Sequence, residues 1–175
     1  KKNIIIEVTK IRKQGNARLN SLLSIEKIIL TKKQDSIYHN INKNFKKSNK
    51  PHFLHGVTGS GKTEIYLKLA YDFFSKRKSC LVLVPEILLS TQIYNRFKEY
   101  FGDNVLLWHS KMSDRYKRDA WAQMNNGVPL IIIGPRSALF SPLINLGLII
   151  IDEEHDSSYK ESEKQPSYNA RDMAI

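Results

Sequence analysis

His55-Gly56-Val57-Thr58-Gly59-Ser60-Gly61-Lys62-Thr63-Glu64 fits the pattern G-x-x-x-x-G-K-[ST], a loop whose successive backbone N–H groups turn inward around phosphate oxygens. Each residue type has a mechanical reason. Gly56, Gly59 and Gly61 allow positive φ and a close approach of backbone to anion, and Thr58 and Ser60 complete the loop between them. Lys62 supplies a point charge for the β- and γ-phosphates, and the Thr63 hydroxyl is a ligand suited to Mg²⁺. The residues after Lys62 read as a helix whose positive end faces the anion, and the partly apolar run from Pro51 to His55 reads as the strand before the loop.

A second stretch completes the reading: Leu146-Gly147-Leu148-Ile149-Ile150-Ile151-Asp152-Glu153-Glu154-His155. A near-continuous apolar run is the mark of a parallel strand buried on both faces. Its carboxylates then emerge at the C-terminal edge, where open α/β sheets bind ligands. In that place Asp152 holds Mg²⁺, often through water, and Glu153 polarises the attacking water. The two stretches together predict a nucleoside-triphosphate site on a P-loop α/β fold.

The 175 residues suffice for one full α/β domain with a short appendage. Cys80 is the single cysteine and lies in an apolar run, so neither a disulfide framework nor a Cys/His metal cluster is expected. That usage, with no membrane-length apolar stretch and no signal-peptide core, leads to the expectation of a cytoplasmic protein that meets no membrane. The net charge of +11 is concentrated at one end, since residues 1–50 carry 13 Lys and Arg against 3 Asp and Glu. That lead-in suits a polyanion such as nucleic acid, or equally a solvated lysine-rich linker.

Residues 1–30 read as a linker or the tail of an upstream domain: a β-branched run at 3–9, a turn at 13–16, and scattered leucines from Leu19. Thr31 then caps a helix with Ile37, Ile41 and Phe45 on one stripe, ended by the lysines of 46–50. From Pro51 strands at 53–55, 80–84, 105–108, 130–134 and 148–152 alternate with helices at 62–75, 88–101 and 114–126, and with a shorter turn at 137–143. Such alternation predicts a mostly parallel sheet with helices on both faces. Polar turns at 85–92, 108–111 and 134–140 fall on the same rim as the nucleotide, either to bond a phosphodiester backbone or simply as helix caps. His109 alone reads as structural. The polar loop after the carboxylates carries Tyr159 and Tyr168, which either stack on bases or pack the loop down.

Residues 56–66, Leu83-Val84-Pro85-Glu86-Ile87, His109-Ser110, Arg136-Ser137-Ala138-Leu139-Phe140, the string Asp152-Glu153-Glu154-His155-Asp156-Ser157-Ser158-Tyr159-Lys160 and Tyr168-Asn169-Ala170-Arg171-Asp172 together resemble the bacterial primosomal helicases of superfamily 2 (DExH type), in order, over about residues 30–175. The resemblance implies that residues 31–175 are the first RecA-like lobe of an ATP- and Mg²⁺-dependent helicase. Such a motor moves 3′ to 5′ on forked or single-stranded DNA and works in replication restart with primosome and single-strand-binding proteins. By the same resemblance Gln34 reads adenine, Lys62 and Thr63 hold phosphate and Mg²⁺, Asp152 holds Mg²⁺, and Glu153 is the base. His155 couples hydrolysis to DNA, Arg136 and Ser137 touch the strand, and Tyr159 and Tyr168 lie in a DNA-sensing loop. It further implies that residues 1–20 follow upstream fork-recognising DNA-binding domains, with a second lobe and a Zn²⁺-binding region beyond this chain, so that the chain is a fragment. Another superfamily 2 DNA translocase and a non-catalytic docking lobe are the competing readings. A small-molecule kinase is disfavoured, having no use for the rim at 134–140.

Overall fold

The computed structural model describes residues 5–7, 28–45, 50–57, 59–86, 92–163 and 165–175. Thr58, the turn at 13–16, the leucines from Leu19, the helix end at 46–49 and the rim positions 87–91 lie outside the described residues.

Helix α1 (Lys32–Phe45) starts where the sequence places its cap, and with a fuller motif. Thr31 Oγ1 accepts from Gln34 N at 3.3 Å, while Gln34 Oε1 accepts from Thr31 N at 2.8 Å. This reciprocal pair satisfies two of the N–H groups that a helix start leaves open. The apolar stripe buries Tyr38, Ile41 and Phe45. Helix α2 (Lys62–Ser75) spans the range predicted and buries Ile65, Tyr66, Leu67, Leu69, Ala70 and Phe74. Helices α3 (Gln92–Phe101) and α4 (Asp114–Asn125) follow, and Ser113 caps α4 by accepting from Tyr116 N.

The strands are β1 (Ile5–Glu7), β2 (His52–Phe53), β3 (Ser79–Leu83), β4 (Val105–Leu107), β5 (Ile131–Gly134) and β6 (Leu146–Ile151), arranged in the order β2-β1-β6-β3-β5-β4. Strands β6, β3, β5 and β4 are parallel neighbours. Strand β1 pairs antiparallel with both β2 and β6, so the sheet takes a strand from the stretch that the sequence reading leaves in a linker. Ile28, also within that stretch, is buried in the main core.

Side chains alternate along each strand, as the pleat requires. Cys80, Val82, Ile131, Ile133, Leu148 and Ile150 face a core built with α1, α2 and α3. Leu81, Leu83, Ile132, Ile149 and Ile151 face a second core with Ala120 and Met124 of α4 and Ala170 and Ala174 near the end of the chain. Helices therefore cover both faces, and a polar group can emerge only at strand ends. Burial also raises the Cys80 thiol pKa, which leaves it a packing residue rather than a reactive one.

After β5 the chain turns through a 3₁₀ helix at Arg136–Phe140. Past β6 a second short 3₁₀ turn (Ser157–Tyr159) leads into a hairpin of β7 (Lys160–Glu161) and β8 (Tyr168–Asn169), then α5 (Ala170–Met173). Gly134, at the first of these turns, is where two backbones come closest. A Cβ there would meet Trp108 O at 2.2 Å and Ala138 Cβ at 2.8 Å. Gly134→Ala is thus expected to destabilise the fold by about 1–3 kcal/mol, the usual range for overpacking. A urea midpoint equal to that of the parent chain would show that the turn yields without cost.

Candidate nucleotide site

The glycine-rich loop runs from β2 to α2. Gly59 and Gly61 have φ of 75° and 78°, in the left-handed region where a side chain is strained. A Cβ on Gly61 would also strike Gln34 Nε2 at 2.2 Å. Gly61 occupies the cap position of α2 and no side chain caps that end. The first N–H groups of the helix are left for an anion, as the helix dipole favours. Glu64, an acid in this first turn, is matched by Arg96 of α3, whose Nη2 lies 3.0 Å from Glu64 Oε1.

The Lys62 side chain is buried and folds back over the loop, its Nζ donating to Gly56 O and Val57 O at 2.9 Å each. Ser60 N and Oγ both donate to Val57 O, at 3.2 Å and 2.7 Å. Thr63 is half-buried in the first turn of α2. Gln34 reaches the loop from α1, its Nε2 donating to Gly61 O at 3.1 Å. With Oε1 in the helix cap, one N–H and one lone pair of its carboxamide remain for any further partner.

Strand β6 delivers Asp152, Glu153 and Glu154, all buried, to the carboxyl edge of the sheet. Asp152 N is fixed by Leu83 O at 2.9 Å, which carries the β3–β6 ladder one residue past the strand. Burial, and then the neighbouring Glu153 charge, push the Asp152 carboxyl above its usual range; Lys62 and the Tyr66 hydrogen bond act the other way. Two acidic residues crowded and buried in this way, with hard oxygen donors, fit a small divalent cation, and Thr63, next to Lys62 in α2, carries a further hydroxyl donor. Among the described residues no three His, Cys, Asp or Glu side chains form a group that could hold a metal ion.

Glu153 has φ of 52°, uncommon for a residue with a side chain. Its carbonyl accepts from Asp156 N at 2.8 Å, closing the turn that holds this conformation. His155 is half exposed, with Nε2 3.9 Å from Glu153 Oε2. Glu154 pairs with Arg171 at 3.5 Å, which ties α5 to the carboxylate turn.

Two DNA-side expectations change. Tyr159 is 2% exposed and its hydroxyl donates to Asp152 O at 2.5 Å, so it has no face for a base. Tyr168 keeps partial exposure and packs edge-on against Phe140, itself 55% exposed. Arg136 does not point its guanidinium outward alone. It donates to Ser158 O at 3.0 Å, Lys160 O at 2.7 Å and the buried Glu161 carboxylate at 2.8 Å, pinning the β7–β8 hairpin to the 3₁₀ turn, with Ser137 half-buried beside it.

Sequence reasoning passed over Tyr66, Glu161 and the role of Arg171. Tyr66 was accessible to it, because a residue four beyond Lys62 shares a helix face with it. Nothing in the sequence pairs Arg136 with Glu161, 25 residues later.

Comparison with known proteins agrees with this geometry. Residues 27–173 match the family model described as Type III restriction enzyme, res subunit. Over 124 residues the chain is 52% identical to Replication restart protein PriA of Chlamydia pneumoniae, covering 71% of this chain and 17% of that protein. Against the PriA protein of Synechocystis sp. the identity is 54% over 121 residues, covering 69% of this chain and 15% of the relative. The Bacillus subtilis PriA protein is 52% identical over 122 residues, 70% of this chain and 15% of that one. The chain thus spans about 15–20% of the length of the curated relatives it matches. A model match over most of the chain, on a fold that carries the phosphate loop and the carboxylate strand to one sheet edge, makes this chain a member of the Type III restriction enzyme res-subunit family, with relatives among the PriA replication restart proteins.

Proposed function

We propose that this chain is the first motor lobe of an ATP- and Mg²⁺-dependent DNA translocase acting in replication restart, 3′ to 5′ on forked or single-stranded DNA. The observation that carries the reading is the meeting of α2 and β6. Tyr66 of α2, one turn beyond Lys62, hydrogen-bonds the Asp152 carboxylate at 3.3 Å. Relatives named for replication restart, at about half identity, support the biological setting; primosome and single-strand-binding proteins are the partners that the sequence resemblance implies.

In this reading phosphate enters at the open end of α2, and Lys62 exchanges its two loop carbonyls for phosphate oxygens. A bound Mg²⁺ supplies charge neutralisation of the phosphates, and Thr63 and Asp152 are the residues to hold it. Glu153 takes the proton of the attacking water. Its turn lies against His155, which is half exposed and in this reading couples hydrolysis to DNA. Gln34 joins the loop to α1 and has one donor and one acceptor left for a base. Tyr168 with Phe140 offers the aromatic surface for DNA, while Tyr159 serves as an internal strut beneath it.

Glu153→Gln is expected to keep nucleotide binding and lower hydrolysis about 10²–10⁴-fold, the usual weight of a general base; loss of binding instead would make Glu153 structural. In the full-length protein Lys62→Ala is expected to abolish productive Mg-ATP use, and undiminished turnover would sink the site assignment. Arg136→Ala is expected to weaken single-strand binding by freeing the hairpin, with an unchanged dependence of log K on log salt. A slope smaller by about one would instead mean that Arg136 touches a phosphate directly.

A further inference from the structure

Tyr66 is fully buried in the first core, yet it carries a hydroxyl that has to be satisfied there. Its partner is not the backbone of a neighbouring turn but Oδ1 of Asp152, the residue after β6, at 3.3 Å. Tyr66 lies one turn of α2 beyond Lys62, so the helix that carries the phosphate lysine also carries the phenol that meets the cation carboxylate. On its other side Asp152 is held through its backbone, by Leu83 O at its N–H and by the Tyr159 hydroxyl at its carbonyl. The main chain of Asp152 is therefore fixed independently of Tyr66, and the phenol acts on the carboxylate alone.

We propose that Tyr66 is a positioning residue for the cation half of the site: it holds one oxygen of Asp152 so that the other is left for Mg²⁺ or its water. This rests on the nucleotide reading above and adds to it a residue outside the G-x-x-x-x-G-K-[ST] pattern and outside the carboxylate string. The physical case is that of an outer partner of a metal ligand, which fixes the ligand's rotamer without touching the metal. Tyr66→Phe removes the hydroxyl and keeps the ring, so the packing of the core is retained.

The test is the affinity of the 175-residue chain for the slowly hydrolysed analogue AMP-PNP, measured in excess Mg²⁺ and again in EDTA, for the parent and for Tyr66→Phe. The expected result is a loss of about 10-fold in the Mg²⁺ arm, at the lower end of outer-partner effects, with the EDTA arm unchanged. Equal affinities of parent and variant in both arms would overturn the proposal. So would an equal loss in both arms, which is the signature of a packing defect. A parent chain that binds AMP-PNP identically with and without Mg²⁺ would overturn the cation reading itself, and the role of Tyr66 with it.

Discussion

A sheet covered on both faces has nowhere to place a charge except at the ends of its strands. That constraint governs this molecule. Helices α1, α2 and α3 seal one face and α4 with the last residues of the chain seals the other. Because β3, β4, β5 and β6 run parallel, their carboxyl ends share one rim. The five-residue ladder between β3 and β6 fixes how far β6 extends, and its continuation from Leu83 O to Asp152 N fixes where the first carboxylate appears. The site is the point at which the apolar run of β6 gives out.

Three consecutive buried acids would be costly if left alone, since burial disfavours their charged forms. Each finds a different compensation. Asp152 has Lys62 and Tyr66, Glu154 has Arg171, and Glu153 lies 3.9 Å from His155 on a backbone turned into the left-handed region. Strain of that kind survives only where its surroundings over-determine it. Here those surroundings are the Asp156–Glu153 turn and, next along the chain, the buried Tyr159 strut. The hairpin of β7 and β8 is tied to this turn in sequence and to Arg136 by two hydrogen bonds, and a third from Arg136 reaches Ser158 O in the 3₁₀ turn before it. A shift in the outer loop thus has a short mechanical route to the carboxylates.

The parallel sheet, helix α2 and the phosphate loop were legible because they rest on local patterns: alternation of strand and helix, glycines at fixed offsets, an apolar run that ends in acids. What was not legible depends on contacts between distant residues. Ile5–Glu7 is β-branched and strand-like in sequence, but its insertion between β2 and β6 depends on which sheet edge is open to it. Gln34 stood in the sequence as a candidate base reader; only folding shows it shared between the Thr31 cap and Gly61 O. Tyr159 and Arg136 sit in polar stretches that read as surface, and both are turned inward by partners no spacing rule supplies, Asp152 O and Glu161. Among the described residues no helix is long and apolar enough to cross a membrane.

The central claim is that this lobe houses a nucleotide site whose turnover answers to DNA. The most direct measurement is ATP hydrolysis by this chain and by a polypeptide that also carries a second RecA-like lobe, each with and without branched DNA. A second lobe completes such transition states with an arginine, typically worth about 10³–10⁵ in rate. The account predicts turnover from the two-lobe form, stimulated by DNA, and little from the single lobe. Brisk hydrolysis by the single lobe that ignores DNA would contradict it.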